Sequence, residues 1–467
     1  MQDYLHASHD EVLGAVVRFE KMIDSDKIEY FDVHQIEVIY DFYFEKSQLK
    51  QAEKILSIGL SQHPDSTSLL VKKAILLAEN DSMDEALQLL EYVAPIENTN
   101  SEVFLTLGWI MLQKQNIFKA IEYYNKAVSI AFEDKEDVLL EISYNLNQHE
   151  LYIESIKYLE QTLLINPNNE NALFEYAFSL DKVLEYDKSI EAYKRLLEKN
   201  PFSENAWYNI GIIYNKTGHY LEACQAYDFT ITINPDHEEA YFNKGNSLVQ
   251  SGCFAEALEA YTEHVTISKD TTLTYQYIAD CWEQLNNYDL AIRFYQLTIE
   301  RAPKHADAWY GLGTSLMETG NFDGGLQALD QAISINPLNA DYWFAHARGL
   351  FELEKAEDAA RSLENGLNLD PNELTGWIEL LKLKIILSDD FSITDYILTL
   401  QSQYSDVAAI HYLTSIINYH YLKDKPKALS ALKKGLMIDT DCLKDIEEDY
   451  PQFLKDIEIS KLINEYK

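Results

Sequence analysis

Glycine and proline are scarce in this chain of 467 residues, at 16 and 10 respectively. Sheet-rich and loop-rich proteins spend more of both on turns, so their scarcity favours long, uninterrupted helices. Cysteine is scarcer still. Cys224, Cys253, Cys281 and Cys442 stand far apart and form no CxxC pair. That excludes a dense disulfide framework and the usual zinc spacings, and free thiols in a reducing cytoplasm are the simplest expectation. No run approaches the ~18 apolar residues of a membrane span. Residues 1–10 hold neither the basic region nor the apolar core of a secretory signal. Positive charge is also in deficit, with 38 Lys and Arg against 77 Asp and Glu, for a formal net charge of -39. Such a field repels nucleic-acid phosphates and anionic membranes and attracts basic partners. Most of the carboxylates are expected to coat solvated helix faces and keep a long molecule soluble.

Motifs that carry chemistry are missing too. There is no HExxH, no phosphate-binding glycine loop and no GxSxG. His6 and His9 are neighbours, as are His411 and His420, without a recognised metal spacing. Tandem acids such as Glu238-Glu239 and Glu447-Glu448-Asp449 fall where helices begin or turn, where carboxylates favour the helix dipole. The expectation is a protein with no catalytic residue, no cofactor and no metal.

What is present is a ruler. Pro167, Pro201 and Pro235 lie 34 residues apart, and Pro303, Pro337 and Pro371 resume the beat after Lys269 takes one prolyl slot. Asn or Asp usually precedes: Asn166, Asn200, Asn234, Asn336 and Asp370. Proline drives its predecessor out of the helical region and suits the first turn of a following helix, so each dipeptide closes one helix and opens another. Other positions keep time with it. A large residue opens each unit (Trp207, Tyr241, Tyr275, Trp309, Trp343, Trp377) and a small one follows four later (Gly211, Gly245, Ala279, Gly313, Ala347). Twelve further on come Ala223, Ala257, Ala291 and Ala359, and then Tyr227, Tyr261, Tyr295, Leu329 and Leu363. Spacings of four and seven are helical, and small residues facing large ones let two helices approach closely.

This ladder resembles the tetratricopeptide repeat, best in Trp207, Ile210-Gly211, Tyr214, Gly218, Ala223, Tyr227 and Pro235. Extended outward, the ruler divides residues 33–442 into about twelve units of 34–35 residues. Residues 1–32 then supply an amino-terminal capping helix and residues 443–467 a carboxyl-terminal one. Three units depart from the pattern. Ile393 replaces alanine in 374–408 and Ser388-Asp389-Asp390 fills its turn; Gly325 takes the alanine slot in 306–339; Ser143 and Ser155 occupy both small slots of 136–169. The expected fold is all-α: a right-handed superhelical solenoid of antiparallel helix pairs, with a bend expected at 374–408, where the turn is irregular.

The resemblance implies a protein-interaction scaffold whose first helices line a concave groove. In this register the lining is Asn171 and Phe174, then Asn205, Tyr208, Asn209 and Asn215, then Phe242, Asn243 and Asn246, and further on Tyr310, Phe344 and Arg348. Asparagine amides both donate and accept, so a row of them suits a peptide backbone, and rigid aromatics add contact area. Equally, the same aromatics can pack on neighbouring helices while the asparagines are solvated. The lining is aromatic and acidic with Arg348 almost its sole cation, so a basic or neutral peptide fits better than an acidic one. A regulatory or adaptor subunit docking through its convex face or carboxyl-terminal end is the alternative, and homo-oligomerisation stays open.

Overall fold

A computed structural model describes residues 9–25, 29–80, 82–388, 391–440, 443, 446 and 450–466. Cys442, the Asp389-Asp390 turn and the Glu447-Glu448-Asp449 triplet lie outside the described residues. Among those described there are helices and turns and no strand. The chain forms two compact units, Met1–Ile213 and Tyr214–Lys467.

Helices come in consecutive pairs. First helices begin at Val33, Thr67, Ser101, Lys135, Glu170, Glu204, Glu238, Thr272, Ala306, Ala340, Leu374 and Ala408, and a second helix follows each. Within each unit a pair packs on the next, and first helices also touch first helices, as Ser101–Gln113 touches Lys135–Gln148 and Ala306–Glu318 touches Ala340–Glu352. One helical hairpin cannot bury its own apolar face, so stacking supplies the core.

The 34-residue beat has a mechanical origin in the turn between pairs. The indole Nε1 of Trp207 donates to the carbonyl of Pro201 at 3.0 Å. Trp309 does the same to Pro303, Trp343 to Pro337 and Trp377 to Pro371, at 2.9, 3.0 and 2.8 Å. The indole thus closes the turn and satisfies a carbonyl the preceding helix cannot use. The prolines sit in the turn itself and not in the first helical turn: Pro201 precedes the helix Glu204–Lys216 by three residues. Inside the seven pairs from Lys135 to Ala340 the chain reverses through one left-handed residue. Glu150, Leu184, Gly218, Gly252, Asn286, Gly320 and Glu354 all have φ between +57° and +83° and follow one another at the same 34-residue interval. Glycine takes that conformation freely, whereas Leu184 adopts it at a cost.

Between the two helices of a pair lies a buried tyrosine. Tyr124, Tyr193, Tyr227, Tyr261 and Tyr295 are all within the interior. Their rings press on the small slots of first helices. A methyl group on Gly108 would stand 2.4 Å from Tyr124 and one on Gly245 2.4 Å from Tyr261; Tyr295 also presses on the next pair, where a methyl on Gly311, outside the small slot, would stand 2.2 Å from it. Small residues are required there because an aromatic ring already fills the space.

At the amino-terminal end, the helix His9–Ser25 buries Val16, Phe19 and Met22 against Phe31, Ile36, Ile39 and Tyr43. At the other, Phe453, Ile459 and Ile463 join the core of the final pairs, with Phe453 edge-on to Tyr419 at 5.2 Å. The pair beginning at Leu374 is irregular. Its first helix, Leu374–Leu387, packs directly on the first helix of the next pair, Ala408–His420, and its second is only Ile393–Gln403. Ile386 and Leu398 are left exposed there. Among the described residues no helix is long and apolar enough to cross a membrane.

Candidate peptide-binding face

The candidate lining residues divide between the two units. In the first, Asn171 and Asn205 are exposed, and Phe174, Tyr208 and Asn209 are half-buried. Phe174 and Asn209 converge on one buried ring. Phe174 lies edge-on to Tyr193 at 5.7 Å, and the Asn209 amide donates to the Tyr193 hydroxyl at 3.0 Å. One of the asparagines expected to clamp a peptide backbone therefore spends a donor on its own fold.

The second unit repeats this theme with variations. Phe242 lies 5.9 Å from Tyr261, 5.5 Å from Tyr277 and 5.3 Å from His264, and Asn246 Oδ1 accepts from the Tyr261 hydroxyl at 2.7 Å. His264 is itself bonded to Thr274 at 2.9 Å, and burial lowers its pKa. Asn215 and Asn243 are half-buried, and the Asn243 carbonyl accepts from Ser247. Tyr310 stacks on Tyr342 at 5.2 Å. The Phe344 ring covers Gly366, where an added methyl would meet it at 2.6 Å. Arg348 is exposed and pairs with Glu318 at 3.3 Å. Each edge-on or stacked ring pair contributes about 0.5–1.5 kcal/mol, so these aromatics are structural whatever else they touch.

The same face holds two carboxylates that the asparagine and aromatic pattern passed over. Asp280 stands in the repeat position of Asn246, Thr314 and Arg348, and Glu283 in that of Asn215. Both stand at hydrogen-bond distance from the buried Tyr295 hydroxyl, at 2.7 and 2.9 Å. Carrying the ruler from Asn246 and Asn215 into the unit at 272 would have found them. A polar link of similar kind joins first helices in the first unit. There Asn147 donates to Glu175 at 2.7 Å and accepts from the buried Ser179 at 2.9 Å.

Models of the tetratricopeptide repeat match residues 101–134, 171–203, 192–225 and 283–349. Together with helix pairs along the described chain, these matches settle the family. The chain is a tetratricopeptide-repeat protein. Among known proteins, the mitochondrial import receptor subunit TOM70 of Rattus norvegicus is 28% identical over 93 residues, and so is that of Homo sapiens. The match takes in 20% of this chain and only 15% of the receptor's length. Among solved structures, YrrB, described as a TPR protein with an unusual peptide-binding site, is 18% identical. It is matched over 97% of its own chain and 40% of this one, with a TM-score of 0.36. A tetratricopeptide repeat protein from Parabacteroides merdae is 16% identical, with 98% and 53% covered and a TM-score of 0.39.

Proposed function

We propose that this tetratricopeptide-repeat protein is a non-catalytic scaffold that holds an extended peptide or protein segment, basic or neutral in character, against its first helices. The reading rests chiefly on the pairs beginning at Ala306 and Ala340. Their first helices lie side by side, with Asp307 and Asp341 exposed next to the half-buried rings of Tyr310 and Phe344. Carboxylates beside aromatic faces suit a lysine or arginine whose alkyl stem lies along the ring. A net charge of -39 adds a long-range field of the right sign. In the first unit the exposed Asn171 and Asn205 offer amides to a peptide backbone. Buried free thiols at Cys224 and Cys281 suit a reducing, cytoplasmic setting.

The test is selection from a random peptide library on the immobilised full chain. Recovered peptides should carry zero or positive net charge. The D307K/D341K variant should lose at least about tenfold of that recovery, some 1.4 kcal/mol, with helicity retained. Mainly acidic peptides, or undiminished recovery on the variant, would refute the reading. A second reading, an adaptor subunit docking through its carboxyl-terminal end, is favoured by Met437, Ile438 and Ile457, exposed at 64%, 47% and 85%. Partner binding would then be lost in M437S/I457S and kept in D307K/D341K.

A further inference from the structure

In the second unit the helices Thr272–Gln284, Tyr288–Arg301 and Ala306–Glu318 meet around the hydroxyl of Tyr295, which is 1% exposed. Asp280 Oδ1 lies 2.7 Å from that oxygen and Glu283 Oε2 lies 2.9 Å from it. Thr314 Oγ1 stands 3.0 Å from Glu283 Oε1 and also 3.0 Å from the Gly311 carbonyl. A phenol carries one proton and can donate to one carboxylate only. The other contact, at hydrogen-bond distance, then sets two lone-pair oxygens against each other. It becomes a bond when that carboxyl carries a proton and donates back to the phenol oxygen. The threonine proton cannot resolve this, since it points to the far oxygen of Glu283 or to Gly311.

We propose that Asp280 and Glu283 share one proton across the Tyr295 hydroxyl, and that this proton clasps the two helices of the pair beginning at Thr272 to each other, while Thr314 of the next pair bonds the far oxygen of Glu283. The second unit then tightens as the medium becomes mildly acidic. The inference does not depend on what the first helices bind.

The groups that face the clasp offer no alternative charge balance. From the helix Ala306–Glu318 comes Asp307, a like charge that accepts from the Tyr342 hydroxyl, and beside it the Tyr310 hydroxyl, itself raised by burial and by Asp341 and Glu283. From the helix that carries Asp280 comes the Cys281 thiol and from the preceding pair the Tyr261 hydroxyl, both pushed up by burial. Arg348, on the following pair, is held by Glu318 at 3.3 Å. Burial pushes the Asp280 carboxyl up to about 6, with Glu283 and Asp307 adding to it against the Tyr295 donation. A carboxyl raised in the folded state binds its proton more tightly folded than unfolded. Its contribution to stability is therefore present below the ordinary carboxylate range and is lost as pH rises to about 6.

The experiment is thermal melting of the full chain at pH 7.5 and pH 5, compared with D280N, E283Q and E300Q. Glu300 is exposed on the neighbouring helix and controls for the loss of one negative charge anywhere on an acidic protein. Wild type and E300Q should both melt several degrees higher at pH 5. D280N should melt above wild type already at pH 7.5 and gain little on acidification, because its amide supplies the missing hydrogen permanently, and E283Q should follow it. Amide exchange in residues 272–301, corrected for intrinsic rates, should slow at pH 5 in wild type and not in D280N. A D280N midpoint at or below wild type at pH 7.5, or a gain on acidification equal to that of E300Q, would overturn the proposal.

Discussion

Alanine at Gly245 separates packing from helix propensity, because the two act in opposite directions there. The glycine lies inside the helix Glu238–Gln250, where alanine would normally add ~1 kcal/mol. Its new methyl would stand 2.4, 2.7 and 2.8 Å from three carbons of the Tyr261 ring, against the roughly 3.5–4.0 Å of ordinary carbon contact. The ring has nowhere to go. It is stacked on Tyr277 at 5.7 Å, flanked by Phe242 at 5.9 Å, and its hydroxyl is tied to Asn246 at 2.7 Å. Relief requires the two helices to part or the ring to leave its rotamer, at roughly 1–3 kcal/mol for overpacking of this kind. The net expectation for G245A is a loss of up to about 2 kcal/mol. Gly14 provides the contrast. It lies in the helix His9–Ser25 with nothing within 4 Å of the added methyl, so G14A should gain up to ~1 kcal/mol. Urea unfolding followed by circular dichroism reads both signs. Amide exchange over residues 238–284 should accompany it, since a repeat array need not unfold in one step. G245A at least as stable as wild type would show that the tyrosine ring does not dictate the small slot.

Two further expectations follow from the turns and the thiols. Leu184 holds φ at +65° where the same turn uses Gly218, Gly252 and Gly320, and its side chain is 69% exposed, so little packing is lost on removing it. L184G should stabilise the first unit by about 0.5–1 kcal/mol in urea unfolding, less the entropy glycine adds to the unfolded chain, and a loss of stability would refute the assignment of strain. Burial pushes the Cys224 thiol up to about 11 and the Cys281 thiol up to about 12. Since the thiolate is the nucleophile, alkylation of both at pH 7.5, mapped by mass spectrometry, should be far slower than in the urea-unfolded chain; equal rates would refute it.

The repeat was legible in the sequence because the residues that set its period act locally. Pro201 and Trp207 close one turn between them, six residues apart, and Gly218 supplies one left-handed φ; each leaves its mark without any knowledge of the fold. The lining was legible only as positions. Asn209 and Asn246 occupy first helices, but which of their hydrogen-bonding atoms remain for a ligand depends on Tyr193 and Tyr261, 16 and 15 residues away on second helices. Tyr193 sits before its asparagine in the chain and Tyr261 after, so no single spacing rule reports the pairing. The same geometry explains why the acids were overlooked. In the slot shared by Asn246, Asp280, Thr314 and Arg348, the chemistry changes from amide to carboxylate to hydroxyl to guanidinium while the backbone stays the same. Where Tyr261 and Tyr295 bury a hydroxyl beside that slot, Asn246 and Asp280 meet it; Leu329 and Leu363 stand in the tyrosine position beside Thr314 and Arg348, and one and two repeats before Asn246 the slot holds Ile212 and Phe178. A polar residue is therefore demanded only where the second helix carries the tyrosine, and that residue can be an amide or a carboxylate, which no repeat spacing reports.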